Sequence, residues 1–148
     1  MPWQIRHAEP EDYARVIDRV DDWWGGRPAS GILQRLFFVH FRSTSFVADD
    51  DAGIAGFLCG FLSQTYLDEA YIHFVGVRPD CRGSGLGRAL YEHFFETVRA
   101  ENRSVVRCVT SPVNEGSIAF HARMGFRHEL VVGYDGADRD RVVFEKRL

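Results

Sequence analysis

The sequence predicts a single α/β domain over residues 1–148, a mixed sheet with helices on both faces. Three observations carry that prediction. Strand-like runs come consecutively and then alternate with helical patterns, in the order β-α-α-β-β-β-α-β-α-β-β. Two runs, Ile54–Leu62 and Glu69–Val77, are apolar on both faces, as central strands covered on both sides are. The hydrophobic content of 45% and aromatic content of 14% supply a sizeable core and argue against a disordered chain.

Taken in order, Trp3–Ala8 alternates as a first strand, with Trp3, Ile5 and His7 on one face. Pro10 suits the first turn of a helix, and Glu11 and Asp12 favour its dipole. Tyr13, Val16, Ile17 and Val20 then recur at helical spacing up to Asp21-Asp22. Trp23-Trp24-Gly25-Gly26-Arg27-Pro28 reads as a loop. Its tryptophans are either core anchors or the lining of an acceptor pocket, with Arg27 facing a carboxylate or stacking on a ring. A second helix is expected over Ile32–Phe41, with a broad apolar face.

Ser45–Ala48 and Ile54–Leu62 form a hairpin around Asp49–Gly53. Glu69–Val77 follows, with Glu69, Tyr71, His73, Val75 and Val77 on one face. Leu86, Leu90, Phe94 and Val98 recur at four-residue spacing in a long helix. Val105–Val109 is a strand whose pairing Pro112 interrupts. Gly116–Met124 reads as a short helix closed by Gly125. Phe126–Val132 and Arg141–Leu148 are the last strands, joined by the polar stretch Gly133–Asp140.

Bulk properties narrow the function. A net charge of −3 weighs against a general binder of nucleic acid or of an anionic membrane. Three cysteines, Cys59, Cys81 and Cys108, are odd in number and lack C-x-x-C spacing, so neither a disulfide framework nor a metal site is expected. No run is long enough for a membrane span and no basic-then-apolar leader opens the chain, so the expected location is the cytoplasm.

The chemistry concentrates where the Glu69–Val77 strand ends. Arg82-Gly83-Ser84-Gly85-Leu86-Gly87 separates it from the long helix. Strand, glycine-rich loop and helix start make a phosphate cradle: glycines take positive φ, and the first-turn N–H groups point at the anion. Arg82 and Arg88 flank it and are candidates to reach phosphate oxygens. A Walker A loop needs a lysine after the glycines, and none follows. A dinucleotide fingerprint needs a third glycine where Arg88 stands. The loop fits Arg/Gln-x-x-Gly-x-Gly/Ala instead.

That pattern resembles the pyrophosphate loop of the GNAT N-acetyltransferase superfamily, which binds acetyl-CoA. A second segment strengthens the resemblance. Asn114 to Phe126 is similar to the family's Asn-x-x-Ala/Ser-x-x-x-Tyr-x-x-x-Gly-Phe at every marked position but one, where His121 replaces the tyrosine. The resemblance covers about Ile54 to Leu148 and implies the GNAT acyl-CoA N-acyltransferase fold. In that fold the strand before the loop and the strand after its helix run parallel and splay apart. It also implies an enzyme that moves acetyl from acetyl-CoA to a primary amine by direct transfer in a ternary complex. A homodimer paired through the last strands is compatible with it.

Residue by residue, the resemblance places Gly83, Ser84, Gly85, Leu86, Gly87 and Arg88 on the pyrophosphate. The strand end, Phe74, Val75 and Val77, offers backbone groups to the pantetheine arm. Asn114 and Ser117 join it, although Asn114 also reads as a plain helix N-cap. His121 stands where the family's proton donor to the departing thiolate stands. The other reading is a helix histidine satisfied by a carbonyl. His73 and Glu69 are the candidate bases for the amine, against a core histidine bonded to backbone. Trp23, Trp24 and Arg27 are the candidate acceptor contacts. The alternative function is a non-catalytic acyl-CoA-binding regulator on the same fold.

Overall fold

The computed structural model describes residues 3–23 and 30–148. They fall into two compact units, one of Met1–Phe61 with Ile72–Thr97 and one of Leu62–Tyr71 with Val98–Leu148.

The first unit opens with β1 (Gln4–His7), α1 (Asp12–Ile17) and α2 (Val20–Trp23). One continuous helix was expected here. The Arg19 amide bonds to the Val16 carbonyl at 2.9 Å, three residues back rather than four, and this tighter turn separates α1 from α2. The second expected helix is likewise shorter, α3 (Leu36–Val39). Before and into it, the Leu33, Phe37 and Phe38 amides bond to the Ser30, Gln34 and Arg35 carbonyls, all at turn spacing. Their side chains are buried while Ile32 and Leu36 stay exposed, so the run is apolar on too many sides for one amphipathic face.

Next come β2 (Phe46–Asp50) and β3 (Gly53–Leu62), an antiparallel hairpin with β1 antiparallel on the other edge of β2. The following strand, β4 (Glu69–Val77), gives its last six residues to this unit. The long helix α4 (Leu86–Ala100) buries Leu86, Leu90 and Phe94 completely, as their four-residue spacing requires. A second core joins α1, α2 and α3 to the sheet through Val16, Trp23, Phe37, Phe38 and Phe57.

A buried carboxylate ties β1 to α1. Asp12 is 1% exposed and accepts from Arg6 at 2.8 and 2.9 Å and from the Glu9 amide at 2.8 Å. Burial alone would push its carboxyl up. The Arg6 and Glu9 bonds outweigh that and hold it below the usual carboxylate range.

In the second unit, Glu69–Tyr71 of β4 pair in parallel with Val105–Arg107 of β5 (Val105–Thr110). β5 pairs antiparallel with β7 (Arg141–Arg147), and β7 with β6 (Arg127–Val131), giving the order β4-β5-β7-β6. The seven strands are thus mixed in direction, as the fold class requires. The α5 helix (Glu115–Arg123) supplies His121 to a core with Met124, Phe126, Val142 and Phe144.

Candidate functional site

The first unit carries the glycine loop. β4 ends at Val77, a single 3-10 turn spans Pro79–Cys81, and α4 starts at Leu86. Gly83 has φ +76° and Gly85 φ +92°, and a Cβ on either would meet nothing within 4 Å. These glycines are therefore required by backbone conformation, not by crowding. The first α4 bond runs from the Ala89 amide to the Gly85 carbonyl at 3.0 Å, so the preceding first-turn amides have no acceptor within the helix. A 15-residue helix adds its dipole to them. Leu86 is fully buried, which leaves only its backbone to face a ligand.

The loop arginines are differently employed. Arg82, expected on a phosphate, donates to the Trp23 carbonyl at the end of α2 and, through Nε at 3.4 Å, to the Val77 carbonyl. Arg88 is exposed and 3.8 Å from Glu92, a loose pair that a phosphate can compete with. An arginine that sequence reasoning missed organises the approach to the loop. Arg78 binds Asp50 through two nitrogens at 3.1 and 2.5 Å, Asp80 at 2.6 Å and the Ile54 carbonyl at 3.2 Å. It fastens the β2–β3 hairpin to the strand end, and its guanidinium holds the Asp50 carboxyl below its usual range. The signal was an arginine before Pro79 and a triple-aspartate turn, but nothing in the sequence says that the two meet.

Along β4, Glu69, Tyr71, His73, Val75 and Val77 are half-buried while Ala70, Ile72 and Gly76 are buried; the predicted alternation breaks only at Phe74, which is half-buried too. In the first unit, the His73 ring stacks on Phe37 (centroids 4.7 Å apart, planes at 9°) and its Nε2 lies 2.8 Å from the Ile32 carbonyl oxygen. That oxygen only accepts, so Nε2 carries the proton and the neutral ring keeps its lone pair on Nδ1. Phe74 packs edge-on against Phe57 at 5.7 Å. Trp23 is 5% exposed and lies 6.1 Å from the Phe57 ring, so it is a core anchor and not an open acceptor contact. Trp24 and Arg27 lie outside the described residues.

The second unit holds the remaining candidates. Glu69 pairs with Arg107 at 2.9 Å, and Arg107 also binds Glu145 at 2.7 Å. The Glu69 carboxylate is thus engaged by a guanidinium rather than open to an incoming amine. Asn114 accepts from the Ser117 amide at 3.2 Å and donates to Thr110 Oγ1 at 3.3 Å, so it caps α5. His121 is 6% exposed, stacked on Phe144 at 4.2 Å and edge-on to Phe126 at 5.1 Å. Its Nδ1 donates to the Ser117 carbonyl at 2.7 Å. Burial pushes the imidazole down, with the Ser117 carbonyl opposing, so the ring is neutral at neutral pH. The expected proton donor is therefore a packed core histidine whose Nδ1–H is already in use.

Among the described residues, no group of three His, Cys, Asp or Glu stands where it could hold a metal ion. No helix among them is long and apolar enough to cross a membrane.

Known proteins place this geometry. The profile of the acetyltransferase (GNAT) family matches residues 4–126. The 5-NmdU N-acetyltransferase of Pseudomonas phage PaMx11 is 35% identical over 126 residues, covering 82% of this chain and 85% of that protein. Two other curated relatives are longer: the chain spans 40% and 45% of their lengths. Among solved structures, Ard1 from Thermoplasma volcanium superposes with a TM-score of 0.82 at 21% identity, covering 100% of this chain and 99% of that one. The diaminobutyrate acetyltransferase EctA from Paenibacillus lautus, solved with L-2,4-diaminobutyric acid and coenzyme A, gives 0.73 at 20% identity, with 96% and 93% covered. At these identities the two structures speak to the fold alone.

Proposed function

Because this chain belongs to the acetyltransferase (GNAT) family, we propose that it is an N-acetyltransferase that moves acetyl from acetyl-CoA to a primary amine. The observation that carries this reading is the pair of positive-φ glycines leading into the first turn of α4. That turn offers several convergent amides to a diphosphate.

In this reading Gly83, Ser84, Gly85, Leu86 and Gly87 hold the pyrophosphate through the backbone, and Arg88 adds its charge. Arg82 acts chiefly by fixing the loop to α2, since its donors are engaged by carbonyls. Backbone groups of Phe74, Val75 and Val77 take the pantetheine arm. In the second unit, Asn114 holds the start of α5 by accepting from the Ser117 amide.

The reaction needs a neutral amine, and alkyl amines have a pKa of about 10 in water. His73 takes that proton on Nδ1, directly or through one water. The amine nitrogen attacks the thioester carbonyl carbon, the C–S bond breaks, and CoA leaves as a thiolate that is protonated from solvent. Amides near Val75 stabilise the oxyanion of the intermediate, a contribution of about 3 kcal/mol where such a donor is well placed.

The second reading, an acyl-CoA-binding regulator, is favoured by one feature: His121 stands where the family has tyrosine and is buried away from proton transfer. Two measurements separate the readings. Calorimetric titration with CoA tests the loop, and thiol release from acetyl-CoA with a panel of primary amines tests transfer. Amine-dependent thiol release supports the enzyme. CoA binding without turnover on any amine replaces it with the regulator, and absence of CoA binding overturns both.

A further inference from the structure

We infer that Arg78 is a positioning residue for CoA: with Asp50 and Asp80 it sets the shape of the glycine loop, and it gives no donor to the phosphates. This deepens the CoA-binding part of the N-acetyltransferase reading and rests on it.

An arginine beside a phosphate loop is readily taken for a phosphate ligand, but this one is saturated. A guanidinium has about five N–H groups to give, in a rigid fork, and protein oxygens take all of them here. Nε donates to Asp80 Oδ1 at 2.6 Å. Nη1 donates to Asp50 Oδ1 at 3.1 Å and to the Ile54 carbonyl at 3.2 Å. Nη2 donates to Asp50 Oδ2 at 2.5 Å and to Asp80 Oδ2 at 3.3 Å. The base is fixed as well: the Arg78 amide donates to the Ala55 carbonyl of β3 at 2.8 Å, and Asp50 Oδ1 also accepts from the Ala52 amide at 2.9 Å. From Arg78 the bonds run on into the loop. The Cys81 amide donates to the Arg78 carbonyl at 2.8 Å, and the Ser84 amide to the Cys81 carbonyl at 3.3 Å.

Charge rules out a simpler role. One guanidinium between two carboxylates leaves the cluster with a net negative charge, which repels a diphosphate. What the cluster contributes to CoA binding is therefore geometric. It holds the Pro79–Cys81 turn against β3, so that Gly83 and Gly85 start from a fixed point and the first-turn amides of α4 converge. The sign of a charge deletion is thereby inverted. Removing a carboxylate near an anion site strengthens binding where only charge acts, and weakens it where that carboxylate holds the loop.

The test is calorimetric titration of CoA into the full chain and its variants at one salt concentration, with urea denaturation to show that each variant is folded. Asp50→Asn keeps the side-chain shape and removes the charge. It is expected to weaken CoA binding by about tenfold, the scale on which residues that orient ligand-holding groups act. Arg78→Lys keeps the charge but loses the planar fork, and is expected to lose as much. Asp50→Ala combined with Arg78→Ala should bind CoA about as well as Arg78→Ala alone, because one unit is broken once. Gly53→Ala strains the same hairpin with every charged group in place, and should leave CoA affinity unchanged. In turnover, the KM for acetyl-CoA should rise in the same ratio while kcat and the KM for the amine hold. Should Asp50→Asn fold poorly, Asp80→Asn carries the same sign test through a carboxylate that is 70% exposed. Tighter or unchanged CoA binding in the aspartate variant, wild-type affinity in Arg78→Lys, or an equal loss in Gly53→Ala overturns the inference. A wild-type chain that binds no CoA overturns the CoA-binding reading itself, and the inference with it.

Discussion

Gly85→Ala probes the proposed phosphate-binding role of the glycine loop with few confounding contacts. Its φ of +92° lies where L-residues are strained, and a Cβ there would touch nothing within 4 Å. The whole effect is therefore backbone strain of about 1–2 kcal/mol. That energy has two places to appear. If the loop keeps its shape, the folded state loses about 1–2 kcal/mol of stability. If the loop relaxes to negative φ, the first-turn amides no longer converge, and restoring them weakens CoA binding by about five- to thirtyfold. The two losses should sum to the strain. Gly53 is the control, a hairpin glycine at φ +116° with equally open space. Gly53→Ala should lose comparable stability with unchanged CoA affinity. The assay is paired: urea denaturation for stability and calorimetry for CoA. A Gly85→Ala protein with both wild-type stability and wild-type CoA affinity would falsify the claim that positive φ shapes this loop.

Three further outcomes are expected. Gly76→Ala places a Cβ 2.5 Å from Cε1 of Phe57, a fully buried ring bounded by Trp23 and Phe74, so about 1–3 kcal/mol should be lost in chemical denaturation. Asp12→Ala removes one of the two carboxylates on Arg6, which is one third exposed and keeps Asp49, and should cost about 1.5–3 kcal/mol, less than a fully buried pair. The Asp12 carboxyl is lowered on folding, so its contribution is complete above about pH 4 and declines as pH falls through the folded value; an acid titration of Asp12→Asn should lack that decline. His121→Phe should keep turnover within a few-fold, because the ring is buried and its Nδ1–H is given to the Ser117 carbonyl. The imidazole is lowered on folding, so the wild-type chain loses stability as pH falls below about 6.5, and His121→Phe should not. A loss of turnover above about a hundredfold with CoA affinity intact would restore His121 as proton donor.

Legibility divided along a physical line. The glycine loop, the alternation along β4 and the i, i+4 stripe of α4 were readable because each is set by residues near one another in the chain. The short α3 was not, since a run apolar on all sides carries no period to bound it. The site candidates fared worst. Glu69 looked like a free carboxylate until Arg107 closed on it, and Arg82 looked like a phosphate ligand until the Trp23 carbonyl took its nitrogen.

By itself the sequence determined the fold class, the strand, glycine-rich loop and helix start, and the second segment that ties it to GNAT acetyltransferases. Local spacing is enough for these, because φ preferences and side-chain periodicity act over a few residues. Only the tertiary structure decided which polar groups are spent. A side chain's protonation and availability depend on partners far away in the chain: Phe144 over His121, the Ile32 carbonyl on His73, Asp50 on Arg78. Hydrogen bonding at those contacts consumes donors, and burial at His121 also lowers the imidazole's proton affinity; neither is written in the order of residues.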